Sequence, residues 1–185
     1  MKDSLIVVSG GMDSITLLYE YADRIALAVS FDYGANHNHK EIPFARIHCE
    51  RLKIKHIVIP TVVPFRNGIM LSIACGIAES NGLKQVLIAN HGGDHAIYPD
   101  CRSEFIQAMD KAMRSGTYEN IGIFAPYTDI SKTEIASRGK KLNLNYAETW
   151  SCYKGGEKHC GKCGTCVERK EALRDAGIED QTEYE

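Results

Sequence analysis

Residues 5–14 read Leu5-Ile6-Val7-Val8-Ser9-Gly10-Gly11-Met12-Asp13-Ser14. The first four form an apolar run of strand length, and the glycine pair ends it. From Asp13 to Asp23 the apolar residues Ile15, Leu18, Tyr19 and Ala22 recur at helical spacing. A buried strand, a tight turn and a helix follow one another, which is the opening of a βαβ unit. The two glycines let backbone N–H groups come close to an anion. The helix start adds unpaired N–H groups and a positive dipole end, and Ser9 and Ser14 add hydroxyls. This is the construction of a phosphate cradle. It is not a Walker A loop, because no Gly-Lys-Ser/Thr is present. The bland alternative is a Gly-rich turn whose Asp or Ser caps the helix.

Working outward, the apolar runs 25–31, 56–59, 86–89 and 121–124 read as further strands, the second stopped by Pro60. Between them, 40–52, 67–81, 102–114 and 131–141 have helical periodicity, and a last helix runs from about 165 to 176. Asn81-Gly82 reads as a left-handed helix cap, Ser131 with Glu134 as a capping box, and Gly177 as a stop. The alternation predicts a doubly wound, Rossmann-like α/β fold with about five parallel strands and right-handed crossovers. Ligands in such sheets bind past the carboxyl ends of the strands, so the loops after Val8, Phe31 and Ala89 are the informative ones. Residues 1–148 are expected to form the main domain. Residues 149–185 should add a metal-binding loop and helix to the same structural unit, with a frayed acidic tail after 179.

The 185 residues carry a formal charge of −2, with 44% hydrophobic and 25% charged residues. That excludes fibrous, low-complexity and disordered classes, and it gives no bulk attraction to nucleic acid or membrane. The most apolar stretch, 69–78, contains Ser72 and Gly76 and is too short to span a bilayer. The first residues lack a secretory pattern, so a cytoplasmic setting with reduced thiols is expected. Seven cysteines then need a reason other than disulfides. Four of them, Cys152, Cys160, Cys163 and Cys166, fall within fifteen residues with glycines between. Four thiolates at that spacing can wrap one tetrahedral ion, and a site closed by four sulfurs is structural. An iron–sulfur cluster is the other candidate. His159 reads as a bystander.

The hexapeptide 9–14 resembles the SGGxDS pyrophosphate loop of the N-type ATP pyrophosphatases, which adenylate a substrate and release pyrophosphate. Phe31-Asp32-Tyr33-Gly34-Ala35-Asn36-His37 resembles the FDYGQxH segment of the 7-cyano-7-deazaguanine synthase (QueC) family, with Ala35 for the glutamine. Val63-Pro64-Phe65-Arg66-Asn67 is similar to its VPGRN, and Tyr98-Pro99-Asp100-Cys101-Arg102 to its YPDCR. Glu148-Thr149-Trp150-Ser151-Cys152-Tyr153, followed by CGxCxxC at 160–166, is similar to its C-terminal pattern. The resemblance runs over nearly the whole chain. It departs in three places. A few tens of residues are absent between the 57–59 strand and Arg66-Asn67. Phe65 replaces a glycine. His95-Ala96-Ile97 replaces three residues after the acid at Asp94. All three lie near where substrate should sit.

The resemblance implies ATP-dependent conversion of 7-carboxy-7-deazaguanine, with ammonia, through the amide to the nitrile. It implies ATP and Mg²⁺ at the loop and structural Zn²⁺ on the four cysteines. It assigns Asp13, Ser14 and Lys132 to catalysis. Ser9, Gly10, Gly11, Met12, Asp13, Ser14, Phe31, Arg66 and Asn67 fall to the nucleotide. Tyr33, His37, Asp94, Tyr98, Asp100 and Arg102 fall to the deazaguanine. It also suggests a homodimer. Each assignment has a plainer rival. Lys132, one residue into a helix, opposes the dipole and so points to an anion, or else is a solvated lysine. Asp13 holds Mg²⁺ through water or is a first-turn dipole partner. Arg66 and Asn67 touch nucleotide or cap a helix, and Asp100 and Arg102 pair with each other. His91, Asp94 and His95 form a metal trio or a polar loop. Cys101 is a small buried residue or a nucleophile. Trp150 and Tyr153 are expected to pack beside the metal loop. Two alternatives change the acceptor: transfer of the deazaguanine acyl group to a protein amine, as in anti-phage conjugation, or a tRNA-modifying reaction. A third class is a zinc-bearing binding module with a dead nucleotide loop.

Overall fold

Along β1, Ser4–Val7, neighbouring side chains go to opposite faces, as the strand period requires. Leu5 enters one core cluster and Ile6 the other, and Val8 just beyond follows Ile6. The computed structural model describes residues 2–61, 65–93 and 98–185. In it β1 is the middle strand of a five-stranded sheet in the order β3-β2-β1-β4-β5. The other strands are β2 (Ile25–Asp32), β3 (Lys55–Pro60), β4 (Gln85–Leu87) and β5 (Gly122–Phe124). Every pairing is parallel. The chain winds outward from β1 to β3, then returns to the other side of β1 for β4 and β5. The crevice at that reversal, between the carboxyl ends of β1 and β4, is where such folds place ligands.

Two helices, α3 (Arg66–Ser80) and α4 (Ser103–Gly116), cover one face with Leu71, Ala74, Ala78, Ile106 and Met113. The helices α1 (Met12–Glu20), α2 (Asn38–Arg51) and α5 (Lys132–Lys141) cover the other with Ile15, Leu18, Ala45, Cys49 and Ile135. Strand and helix bounds match the sequence reading to within two residues, except that α1 ends at Glu20, three residues before the expected Asp23. Gly82 has φ +64°, the left-handed cap expected after α3. Ser131 Oγ accepts the Glu134 N–H and Glu134 accepts the Ser131 N–H, completing the capping box. Among the described residues no helix is long and apolar enough to cross a membrane.

The tail is not frayed. The last helix, α6 (Gly164–Asp175), carries Arg169, which is fully buried. Its guanidinium donates to Thr149 Oγ1 at 2.8 Å, to Ser151 Oγ at 3.1 Å, to Thr182 Oγ1 at 2.9 Å and to the Tyr146 carbonyl. Burying a cation demands that its donors be satisfied, and the tail supplies one of the acceptors. His159 and Tyr184 then form a parallel bridge, and Tyr184 Oη donates to Asp180 at 2.5 Å. Tyr184→Ala should lower stability by about 1–2 kcal/mol and expose the Glu185 amide to hydrogen exchange, while amides in β1 stay protected.

Candidate active site

The loop after β1 holds its shape through its own hydroxyls. Ser14 Oγ accepts the N–H groups of Ser9 (3.2 Å) and Gly10 (3.3 Å), and Ser9 Oγ accepts that of Gly11 (3.1 Å). Gly10 has φ +107°, and a Cβ there would run into the backbone carbonyl of Glu41 in the first turn of α2. Gly11, the N-cap of α1, offers no side-chain cap, so the first-turn donors stay free of one. Met12 is buried against α5 and α6, so only its backbone is open to the loop.

At the mouth of this loop, among the described residues, four charged or titratable side chains meet. Asp13 Oδ2 lies 3.4 Å from Lys132 Nζ and 3.6 Å from His91 Nε2. Lys132 Nζ lies 2.8 Å from Glu168 Oε2 on α6. Asp13 Oδ1 is buried and has no hydrogen-bond partner. Lys132 is therefore not a solvated lysine; it is turned into the cleft. An oxygen donor left unpartnered beside a phosphate loop suits a hard divalent cation. The sequence reading flagged His91 only within a trio. Asp94 and His95, the other two, lie outside the described residues, as do Val63 and Pro64. Glu168 was missed, because it falls in a charged stretch that reads as solvated surface.

A second wall comes from the β2–α2 loop, the start of α3 and the Tyr98–Arg102 turn. With the loop it encloses a cavity of about 210 Å³ that includes Phe31, Tyr33, His37, Glu41, Arg66, Asn67, Tyr98, Asp100 and Tyr153. The Arg66 guanidinium sits over the rings of Tyr33 (5.1 Å) and Tyr98 (5.6 Å) and donates to Tyr33 Oη at 3.0 Å. His37 is buried, not solvated. Its ring stacks on Tyr153 at 4.7 Å, and desolvation, with Arg66 nearby, pushes its pKa down. The Tyr153 ring thus faces the cavity, whereas Trp150 packs with the cysteines as expected, together with Phe44 and Tyr184. Asp100 does not pair with Arg102. Its carboxylate accepts the Asn67 N–H at 3.0 Å and so caps α3, and Asn67 Nδ2 reaches the Asp100 carbonyl (3.0 Å) and Cys101 Sγ (3.2 Å). Arg102 is exposed at the N-cap of α4. Cys101 is buried, as a small core residue would be.

Glu41, also unforeseen, lies in this wall. Burial drives its carboxyl up to about 8, against the opposing pull of Arg66. The mouth beyond is apolar and wide, about 680 Å³, with Ala35, Phe65, Pro99 and Phe105 among its residues. Phe65 stands where the resemblance has glycine, and it adopts a left-handed φ of +62° at the N-cap of α3.

The sulfurs of Cys152, Cys160, Cys163 and Cys166 lie within 4.8 Å of one another. A tetrahedral ion with metal–sulfur bonds of about 2.3 Å needs sulfurs about 3.8 Å apart, so a small closure suffices. The N–H of Cys160 donates to Cys152 Sγ and that of Cys163 to Cys160 Sγ, at 3.4 and 3.3 Å, which favours thiolates. The set fits a metal ion. His159 is a bystander: its Nε2 accepts the Ser151 N–H at 3.1 Å and its ring lies on Trp150.

A family profile described as queuosine biosynthesis protein QueC matches residues 3–61 and 58–177. A 7-cyano-7-deazaguanine synthase from Porphyromonas gingivalis is 58% identical over 215 positions, covering 100% of this chain and 98% of the relative. One from Desulfotalea psychrophila is 45% identical over 217 positions, covering 100% and 99%. Among solved structures, NMN synthetase from Francisella tularensis superposes with a TM-score of 0.58 at 14% identity, over 97% of this chain and 74% of that one. That likeness is one of fold alone. The two profile segments meet at 58–61, and the P. gingivalis alignment spans 215 positions against 185 residues, a difference of 30. The family pattern therefore breaks where β3 runs almost directly into α3.

Proposed function

The chain belongs to the QueC family, and from that premise we propose that it is a 7-cyano-7-deazaguanine synthase. It consumes ATP, 7-carboxy-7-deazaguanine and ammonia. The observation that carries this reading is the meeting of Asp13, Lys132 and the Ser9–Ser14 loop at the edge of the Tyr33–Arg66–Tyr98 cavity. The substrate carboxylate attacks the α-phosphorus, and the pyrophosphate leaves onto the backbone donors of the loop. Ammonia displaces AMP from the acyl adenylate, and a second activation of the resulting amide gives the nitrile. The protein's part is positioning and charge stabilisation.

Within that reading Lys132 turns from Glu168 to the leaving pyrophosphate, and Ser14 braces the loop. Mg²⁺, held through Asp13, would neutralise phosphate charge. Phe31, Arg66 and Asn67 serve the nucleotide; Tyr33, His37, Tyr98 and Asp100 serve the deazaguanine, with Asp94 and Arg102 assigned to it by the family motif. Zn²⁺ on the four cysteines is structural. Residues 1–148 and 149–185 act as one unit, since the Trp150 N–H bonds the Gly10 carbonyl at 3.0 Å. A cytoplasmic homodimer completes the proposal. The protein-amine and tRNA alternatives draw no support from the comparisons.

The test is purified protein with ATP, Mg²⁺, 7-carboxy-7-deazaguanine and ammonium, read by mass spectrometry. Nitrile with substrate-dependent AMP is expected; no substrate-dependent AMP would discard the deazaguanine. Lys132→Ala should cut kcat by about 10²–10³-fold, the usual effect of losing one preorganised donor to developing charge. Its circular dichroism should be unchanged.

A further inference from the structure

We propose that Glu41 is the proton acceptor for the nitrogen chemistry of this site, taking the N–H protons released as the amide and then the nitrile form. The proposal rests on the synthase reading. Its ground is position. The phosphate-loop cavity and the Tyr33–Arg66 cavity share Ser9, Ser14, Glu41, Ala89 and Tyr153. Their junction is where a nucleoside must be joined to a pyrophosphate, so the α-phosphorus and the acyl group bonded to it belong there. Among the described residues Glu41 is the one carboxyl on that shared wall. A Cβ on Gly11 would lie 3.7 Å from its Oε1, so it stands against the loop itself.

Its surroundings leave it free to act. The groups facing it are Tyr33 and His37 from the β2–α2 loop, Arg66 from α3, and the Ser9 and Ser14 hydroxyls with Tyr153. His37 Nε2 is 3.8 Å away, beyond hydrogen-bond range, and it is biased towards the neutral imidazole. Among the described residues no lysine or arginine forms an ion pair with it, and Arg66 acts only from a distance; a buried acid held that way is costly for a fold and marks functional sites.

The proton balance needs such a group. Ammonia forms an N–C bond to the acyl adenylate, the C–O bond to AMP breaks with both electrons leaving on phosphate, and one N–H proton goes to Glu41. In the second activation the amide oxygen attacks the α-phosphorus of a new ATP, and pyrophosphate leaves. Two N–H protons are then lost as the C–O bond breaks and C≡N forms. Solvent empties the carboxyl between steps. A general base works best with a pKa near the working pH, and this one lies at about 8.

The test compares wild type, Glu41→Gln and Glu41→Asp, with pyrophosphate, amide and nitrile measured separately. Glu41→Gln should keep its first-turnover pyrophosphate burst within about 3-fold and lose about 10²–10⁴-fold in amide and nitrile. At fixed free ammonia, wild-type amide formation should climb with pH through a midpoint near 8 and level off above it, a limb absent in Glu41→Gln and retained, at lower rate, in Glu41→Asp. Hydroxylamine, nucleophilic without a base, should trap the adenylate equally in all three. A carboxyl raised in the fold contributes stability at acid pH that is lost as pH rises through about 8, so Glu41→Gln should melt no lower than wild type at alkaline pH. Amide formation within about 3-fold of wild type would overturn the proposal, and so would equal losses of burst and amide, the mark of a positioning role. Wild type with no substrate-dependent pyrophosphate would instead fell the synthase reading beneath it.

Discussion

Gly10→Ala will reduce substrate-dependent AMP release to background and destabilise the protein by about 2–5 kcal/mol. Two costs combine. The position has φ +107°, which only glycine adopts without strain, and the new methyl would meet the Glu41 carbonyl. That carbonyl belongs to the first turn of α2 and cannot step aside as a side chain could. Either the loop lifts or α2 tilts. Each moves the Ser9–Ser14 donors away from a transferring phosphoryl group, and a displacement of about 1 Å alone costs about 10²-fold. Thermal melts and AMP release on the same samples check both halves. Normal turnover would show that the loop does not carry the phosphates.

Cys166→Ser, or removal of the metal by a strong chelator, should have the largest effect on stability. Cys166 is fully buried at the start of α6, and its sulfur belongs to a set whose metal binding is worth about 10–16 kcal/mol in comparable structural sites. If only about 4 kcal/mol of that is felt by the whole fold, the melting temperature falls by about 8–16 °C. Native mass spectrometry should show one metal ion lost. Because binding requires deprotonated thiols, acid should release the ion and base should not. A variant that melts as wild type does would remove the metal from the folding argument.

Much of this architecture was legible because its determinants are local. The apolar run at Leu5–Val8, the glycines after it and the capping box at Ser131 each act within a few residues. What was illegible depends on distant partners. Glu41 looks like a surface acid in α2 until Gly10 and Arg66 close over it. The tail looks disordered, and it docks because Arg169 on α6 must find acceptors after burial. Asp100 caps α3 from thirty-three residues away, so no capping pattern near Asn67 announces it. Motif spacing named the loop and the cysteines, and its place at a helix start with the family resemblance named Lys132, but nothing named Glu168, whose meaning comes from the lysine it faces.

Three of those features sit almost side by side on one helix. Cys166 belongs to the set that would hold an ion, Glu168 holds Lys132 and Arg169 holds the tail. Losing the metal would therefore unfasten the cysteine loop, the carboxylate that holds Lys132 and the anchor of the tail together.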